Sequence, residues 1–147
     1  MSTIRDQVTA FHHMIGSPVL DTPRVPPDDR MRLRARLIAE EAFEVLDSIL
    51  PRAGWARLRA EVFDKIAQEE VDLDLPNLAK ELADLDYVVE GSRLECGIPG
   101  DAVAAEVHRT NMAKADGPID EHGKKRKPPG WQPPDIAGLL RERGWKP

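Results

Sequence analysis

The chain has 147 residues, of which 41% are apolar and only 5% aromatic, which predicts one ordinary domain with an aliphatic core. Its net charge of -5 argues against non-specific binding to nucleic acid, because neutralising a polyanion requires an excess of basic groups. The lone Cys96 excludes an internal disulfide and fits a reducing cytoplasm. The sequence lacks a signal-peptide pattern and the roughly 18 consecutive apolar residues of a membrane span, so no membrane association is expected.

Apolar periodicity and helix-capping signals predict an all-α fold, a helical bundle of four or five helices. The predicted helices cover residues 3–15, 29–50, 55–69, 75–96 and 101–115, with a short helix near 135–143. Ser2 or Thr3 caps the first helix and Gly16 ends it. No alternation typical of a strand is present. We therefore predict a single domain over 1–147, with a loop at 116–135 and a C-terminal tail at 136–147.

Two of these helices carry an apolar stripe, which we interpret as their core-facing side. The stripe on the second helix consists of Ile38, Ala42, Val45, Leu46 and Ile49. The stripe on the helix that ends near Cys96 consists of Leu78, Leu82, Leu85 and Val89. The second helix also carries alternating arginines that spread around its axis, which indicates solvation rather than a phosphate patch: Arg30, Arg32, Arg34 and Arg36.

Carboxylates cluster on the same two helices. Glu40, Glu41 and Glu44 lie in LIAEEAFEVL, and Glu81 and Asp84 lie in LAKELADLDYVV. At about 100° per residue, Glu40 and Glu44 lie roughly 40° apart, on the side opposite the apolar stripe. Glu81 and Asp84, three residues apart, project to one side and can touch one ion. A solvated helix face is the alternative for the first cluster, and a surface pair at the border of the core is the alternative for the second.

The two acidic clusters together favour a shared divalent-cation site over two solvated faces. Five acids brought to one place repel each other unless a cation lies between them. Ligands that are all carboxylates select Mg²⁺ or Mn²⁺ over zinc, and Mg²⁺ commonly works on phosphates. A bound ion of this kind polarises a phosphoryl oxygen, and a spare carboxylate can serve as general base. This chemistry suits hydrolysis of a phosphoric anhydride.

Cationic and amide side chains that could bind phosphates follow in the C-terminal third. Asn111 and Lys114 share a helix face at i and i+3 in EVHRTNMAKADG, and a basic run over 124–127 ends at Lys127. The alternative for Asn111 is a residue at a helix end, and the alternative for the basic run is a solvated tail.

The order E-E-x-x-E and then E-x-x-D resembles the signature of the MazG-like all-α nucleoside triphosphate pyrophosphohydrolases, a superfamily that includes dimeric dUTPases and phosphoribosyl-ATP pyrophosphohydrolases. The similarity extends to FHHMIGSPV, AEVHRTNMAK and GKKRKPPGWQPPDI, and so covers most of the chain. The resemblance implies cleavage between the α and β phosphates, which releases a monophosphate and pyrophosphate. It also implies assembly as a homodimer, or as a tetramer.

The resemblance further implies roles for single residues. Glu41, Glu44, Glu81 and Asp84 would hold Mg²⁺, with Glu41 also in the catalytic set. Glu40 would bind a further ion or orient the attacking water. Asn111 and Lys114 match positions that contact substrate, and Lys127 resembles a tail lysine that closes over the phosphates. The 36 residues between Glu44 and Glu81 exceed the usual family spacing, so residues that recognise the base are not transferred across this segment.

The expected function is a Mg²⁺-dependent house-cleaning pyrophosphohydrolase that acts on dUTP or another deoxynucleotide. The enzymatic alternative is hydrolysis of phosphoribosyl-ATP in histidine synthesis. An alternative of another class is a non-catalytic helical dimer that binds nucleotides as a sensor, and a third is a purely structural bundle. Because all five motif acids are present, the sequence favours an active enzyme.

Overall fold

A computed structural model describes residues 2–121 and 124–147, and these residues form six α-helices and no β-strand. An isolated antiparallel bridge pairs Ile119 with Lys125. The helices are α1 (Ile4–Ile15), α2 (Asp28–Ile49), α3 (Ala56–Gln68), α4 (Leu75–Cys96), α5 (Gly100–Met112) and α6 (Ile136–Glu142). The predicted all-α class is confirmed, and every predicted helix matches an observed one to within three residues at each end.

Local side-chain hydrogen bonds explain where several helices begin. At the start of α1, the Thr3 hydroxyl accepts from the backbone N–H of Asp6 at 3.2 Å, and the Asp6 carboxylate accepts from the backbone N–H of Thr3 at 2.9 Å. This reciprocal pair satisfies two backbone donors that the first turn leaves open. Asp74 and Asp135 accept in the same way near the starts of α4 and α6. Gly16 ends α1 in the left-handed conformation, at φ +69°.

The chain divides into two compact units, which are described separately below. The first unit comprises residues 1–23 and 79–147, and the second comprises residues 24–78. In the first unit, α5 packs against α1 and α6. In the second unit, α2 packs against α3. The single-domain organisation expected from the sequence stays a prediction.

Arginine side chains hold α2 against α3, so the prediction that the arginines of α2 are simply solvated is wrong for two of them. Arg32 Nη1 donates to the carbonyl oxygen of Ile66 at 2.9 Å, at the C-terminal end of α3, where the helix presents negative partial charge. The Arg36 guanidinium lies 4.4 Å from the ring centroid of Phe63, within cation–π range. The charged heads thus contact the neighbouring helix.

The apolar stripes on α2 and α4 remain largely exposed, contrary to their predicted core position. On α2, Val45 and Ile49 are 57% and 66% exposed, whereas Phe43, about 140° from Ile38 around the helix, is buried. All residues from 81 to 90 of α4 are exposed. The apolar periodicity thus identified the apolar side of each helix correctly. The prediction that these sides face the core was wrong, because they are exposed to solvent.

No helix within residues 2–121 and 124–147 has both the length and the hydropathy required to cross a membrane.

A hydrogen-bonded carboxylate ties α5 to the start of α6. Glu106 accepts from the Arg109 guanidinium at 2.7 and 2.8 Å and from the backbone N–H of Asp135 at 3.0 Å. These bonds, the Arg109 bonds first, lower the pKa of Glu106 from 4.5 to about 2, because all of them favour the ionised form. The Asp135 backbone is thereby connected to a side chain 29 residues earlier.

We expect the contribution of Glu106 to stability to be present above pH 4.5 and to be lost as the pH falls from 4.5 to about 2, because its pKa is lower in the folded chain. The change Glu106→Gln should lower the free energy of unfolding at neutral pH. The difference from wild type should shrink through that acid range. Urea unfolding monitored by circular dichroism at a series of pH values measures both. The exposed carboxyl of Glu142 provides the control, Glu142→Gln, and an equal loss in the two variants would contradict the assignment.

Candidate functional site

The two acids of the second motif share one cation on α4. The Lys80 ammonium lies 3.0 Å from a carboxylate oxygen of Glu81 and 2.8 Å from one of Asp84. These bonds, the Asp84 bond first, raise the pKa of Lys80. Both carboxylates are more than half exposed. The carboxylate oxygens of Glu81 and Asp84 therefore point toward the same positive charge. Carboxylate oxygens are also the ligands that a hard divalent ion prefers.

The acids of the first motif lie on successive turns of α2. Glu40 is half-buried, while Glu41 and Glu44 are exposed. α2 belongs to the unit of residues 24–78, and Glu81 and Asp84 belong to the other unit. Among the described residues, no group of three or more His, Cys, Asp or Glu side chains in either unit is arranged to hold a metal. The ion shared by the two motifs thus stays a prediction.

The three side chains predicted to contact substrate lie together in the first unit. Lys114 Nζ donates to Asn111 Oδ1 at 2.6 Å and lies 5.6 Å from the ring centroid of Trp131. Lys127 Nζ lies 4.4 Å from the same centroid. A cation over an aromatic ring is stabilised by about 0.5–1 kcal/mol at an exposed site. Two ammonium groups are therefore held near one indole, next to an amide.

The indole of Trp131 is itself fixed to α5. Its Nε1–H donates to the carbonyl oxygen of Thr110 at 2.8 Å. Thr110 is only 2% exposed, and its hydroxyl donates to the carbonyl oxygen of Val107 at 2.9 Å. Trp131 was not predicted from the sequence as part of the site. The signal available was its position four residues after Lys127 in GKKRKPPGWQPPDI, but helical periodicity does not apply to this non-helical segment.

A close backbone contact closes the segment that leads to Lys127. The backbone N–H of Arg126 donates to the carbonyl oxygen of Pro118 at 2.8 Å, and the Arg126 guanidinium pairs with Asp120 at 2.8 Å. Gly117 is buried, and a Cβ at this position would collide with the carbonyl oxygen of Arg126. A glycine is therefore required for the chain to return close to the end of α5, with Lys127 as the next residue.

Comparisons with known proteins indicate the family of the chain. Residues 8–111 match the family model described as phosphoribosyl-ATP pyrophosphohydrolase. No curated protein matches the chain. The chain is similar to a crystal structure of a protein from Exiguobacterium sp. 255-15 that is provisionally assigned as an NTP pyrophosphohydrolase. The two share 27% sequence identity with a TM-score of 0.63, and the match covers 96% of each chain.

The chain belongs to the phosphoribosyl-ATP pyrophosphohydrolase family, since the family model covers more than half of it. The resemblance to the MazG-like superfamily is thereby confirmed. The protein is a hydrolase of phosphoric anhydride bonds. The matched residues contain both acidic motifs and Asn111, whereas Lys114, Lys127 and Trp131 lie C-terminal to them. The geometry around the indole is therefore additional to what the family match covers.

We expect Gly117→Ala to lower the free energy of unfolding by about 1–3 kcal/mol, because the added methyl group forces the backbone around Arg126 to move. Thermal unfolding followed by circular dichroism measures the change. The matched control is Gly100→Ala at the start of α5, where the nearest atom to a Cβ is Cδ of the Arg93 side chain, at 3.1 Å. This control should change stability by less than ~1 kcal/mol, since a long side chain can move aside and alanine favours the helix. Equal melting temperatures for the two variants would contradict the close contact.

Proposed function

We propose that the protein is a Mg²⁺-dependent nucleoside triphosphate pyrophosphohydrolase that removes dUTP, or another pyrimidine deoxynucleotide, from the nucleotide pool. The products are the nucleoside monophosphate and pyrophosphate. The observation that supports the proposal most directly is the grouping of Asn111, Lys114 and Lys127 at Trp131, in the same unit as Glu81 and Asp84. A polyphosphate carries several negative charges, and it requires cationic donors beyond the metal.

The donor chemistry of the acidic motifs fits a magnesium ion. Glu41, Glu44, Glu81 and Asp84 supply carboxylate oxygens, the ligands that Mg²⁺ prefers, and Mn²⁺ could replace it. The Lys80 ammonium pairs with both Glu81 and Asp84, and a bound ion would replace it as their shared cation. When bound, the ion would polarise a phosphoryl oxygen and lower the pKa of a coordinated water.

The chain's own residues would carry the remaining steps. Glu40 or Glu41 would orient the attacking water and accept its proton. The water oxygen bonds to the α phosphorus while the bond from that phosphorus to the bridging oxygen breaks. Pyrophosphate leaves with the negative charge, which Lys114 and Lys127 would offset. We place this activity in the cytoplasm, where the exposed thiol of Cys96 stays reduced.

Phosphoribosyl-ATP is the second candidate substrate, and the description of the matching family favours it. Both substrates contain the same anhydride between the α and β phosphates, so the same acids and lysines could serve either. They differ in the base and in the second ribosyl phosphate. The 36-residue segment between Glu44 and Glu81 contains α3, and this length departs from the usual family spacing.

We expect pyrophosphate release from dUTP in the presence of Mg²⁺, and none after removal of divalent ions with a chelator. A panel of deoxynucleotides, ribonucleotides and phosphoribosyl-ATP, assayed for free pyrophosphate, identifies the substrate. If pyrophosphate is released from phosphoribosyl-ATP alone, phosphoribosyl-ATP and not dUTP is the substrate. The change Glu41→Gln should reduce turnover at least about 100-fold, because it removes a carboxylate from both the metal set and the catalytic set.

A matched pair on α4 provides the control for this test. Asp84→Asn should reduce turnover strongly, whereas Asp86→Asn, on another side of the same helix, should leave it unchanged. If both variants keep full activity, the metal assignment fails. If the wild-type protein binds a triphosphate tightly without hydrolysing any nucleotide in the panel, the sensor alternative replaces the enzymatic one.

We also propose that the chain works as a homodimer or a tetramer. The support is the exposed apolar surface of α4, where Tyr87 and Leu94, seven residues apart and on one side of the helix, are 84% and 75% exposed. Apolar side chains exposed to this degree on one helix are typical of an interface between subunits. A second copy of the same chain is the partner that the family resemblance implies.

We expect Leu94→Lys to shift the protein toward a monomer, because a charge placed in an apolar interface is desolvated without a partner. Sedimentation velocity or light scattering coupled to gel filtration gives the mass. Ala137→Lys adds the same charge at an exposed position of α6 and should leave the mass unchanged. A monomeric wild-type protein, or a Leu94→Lys variant with the wild-type mass, would contradict the proposed interface.

A further inference from the structure

We propose that Trp131 is the positioning residue of an oligophosphate site, in which its indole holds Lys114 and Lys127 ready for the phosphate chain of the substrate and for the pyrophosphate product. The inference rests on the proposed function for the nature of that chain. It goes beyond the family resemblance, which assigns contacts to the lysines and assigns no role to the tryptophan.

The indole is suited to this role because it is anchored independently of the lysines. Its N–H donates to the carbonyl oxygen of Thr110 at 2.8 Å, at a residue that is 2% exposed near the end of α5. A tryptophan fixed by its ring nitrogen has little freedom to follow the cations. The contacts between ring and cations are therefore set by the conformations of the Lys114 and Lys127 side chains.

A second contact, besides the one with the ring, restrains the position of each lysine. Lys114 donates to Asn111 Oδ1 at 2.6 Å, on the same helical end. Lys127 directly follows Arg126, whose backbone and guanidinium close the preceding segment onto Pro118 and Asp120. The two cations thus come from different segments of the chain, and the indole is a contact that both share.

Holding two ammonium groups at one ring requires an interaction that attracts both of them. The negative face of an aromatic ring supplies this without neutralising either charge. A carboxylate in the same place would attract the lysines but would also repel the phosphates. In addition, a lysine ammonium has three N–H donors, so contact with a ring face leaves Lys127 able to donate to phosphate oxygens.

Restricting the two side chains before the ligand arrives raises affinity, because long lysine side chains otherwise lose conformational freedom on binding. The expected signature is a change in ligand affinity with little change in the rate of the chemical step. A purely structural role for Trp131 would instead change stability and leave affinity intact in the folded fraction.

The experiment measures binding of inorganic tripolyphosphate to the full chain by isothermal titration calorimetry. Trp131→Leu removes the ring face and should weaken binding about tenfold, because two long lysine side chains must then be ordered when the ligand binds. Trp131→Phe restores a ring face and should recover most of the affinity. Trp145→Leu, a change at an exposed tryptophan beyond α6, is the control and should bind as wild type. Wild-type affinity in Trp131→Leu would overturn the proposal.

Fluorinated tryptophan provides a second test that preserves the fold. Ring fluorination weakens the negative face while keeping the shape and the N–H donor, so affinity for tripolyphosphate should fall stepwise with the number of fluorines. The same labelling in a Trp131→Phe background controls for Trp55 and Trp145, and there the affinity should not change. A flat response in the labelled wild-type protein would overturn the cation–π role even if Trp131→Leu did not fold.

Tripolyphosphate carries no base and its binding requires no turnover, so the result is separate from that of the nucleotide panel. Loss of tripolyphosphate affinity in Trp131→Leu supports the inference even if dUTP is not the substrate. For any nucleotide that is hydrolysed, Trp131→Leu should raise KM with kcat nearly unchanged. A Trp131→Leu variant that loses affinity for nucleotide but not for tripolyphosphate would assign the indole to the base and overturn the proposal.

Discussion

Charges of one sign repel each other when they are brought to one place, and this protein offsets that repulsion with a different neighbour in each case. On α4, Glu81 and Asp84 share the ammonium of Lys80. In the C-terminal segment, Lys114 and Lys127 both lie near the ring of Trp131. The proposed chemistry depends on these charges, since carboxylates bind a metal ion and ammonium groups bind phosphates.

The described part of the fold relies on polar contacts as much as on apolar packing. Phe43 is buried, yet it contacts the Arg59 guanidinium at 5.4 Å from its ring centroid. Arg32 and Arg36 reach from α2 to the end and the side of α3. Long arginine side chains cover apolar surface with their methylene groups while their charged heads contact polar or aromatic groups. The apolar sides that remain exposed on α2 and α4 are therefore available for other surfaces.

Helix boundaries, which depend on neighbouring residues, could be predicted from the sequence. Contacts between residues far apart in the chain could not. Thr3 and Gly16 bound α1 as expected, because caps act within one turn. The surroundings of Val45 and of Arg36 could not be predicted, because periodicity identifies the sides of a helix but not the element that packs on each. Trp131 was missed because its partners lie in α5 and in a non-helical segment. The grouping of Asn111 with Lys114 was predictable from their spacing of three residues, although Lys114 lies in the turn that follows α5 and not on the helix itself.

The contacts between α2 and α3 also bear on the 36 residues that separate the acidic motifs. Phe43, Arg32 and Arg36 all contact α3, which lies wholly inside that segment. A deletion that joined the end of α2 directly to the start of α4 would remove these partners. The helix that bears Glu40, Glu41 and Glu44 would then lose its packed side. The segment between the motifs is thus an integral support of the acidic helix and not a dispensable insertion.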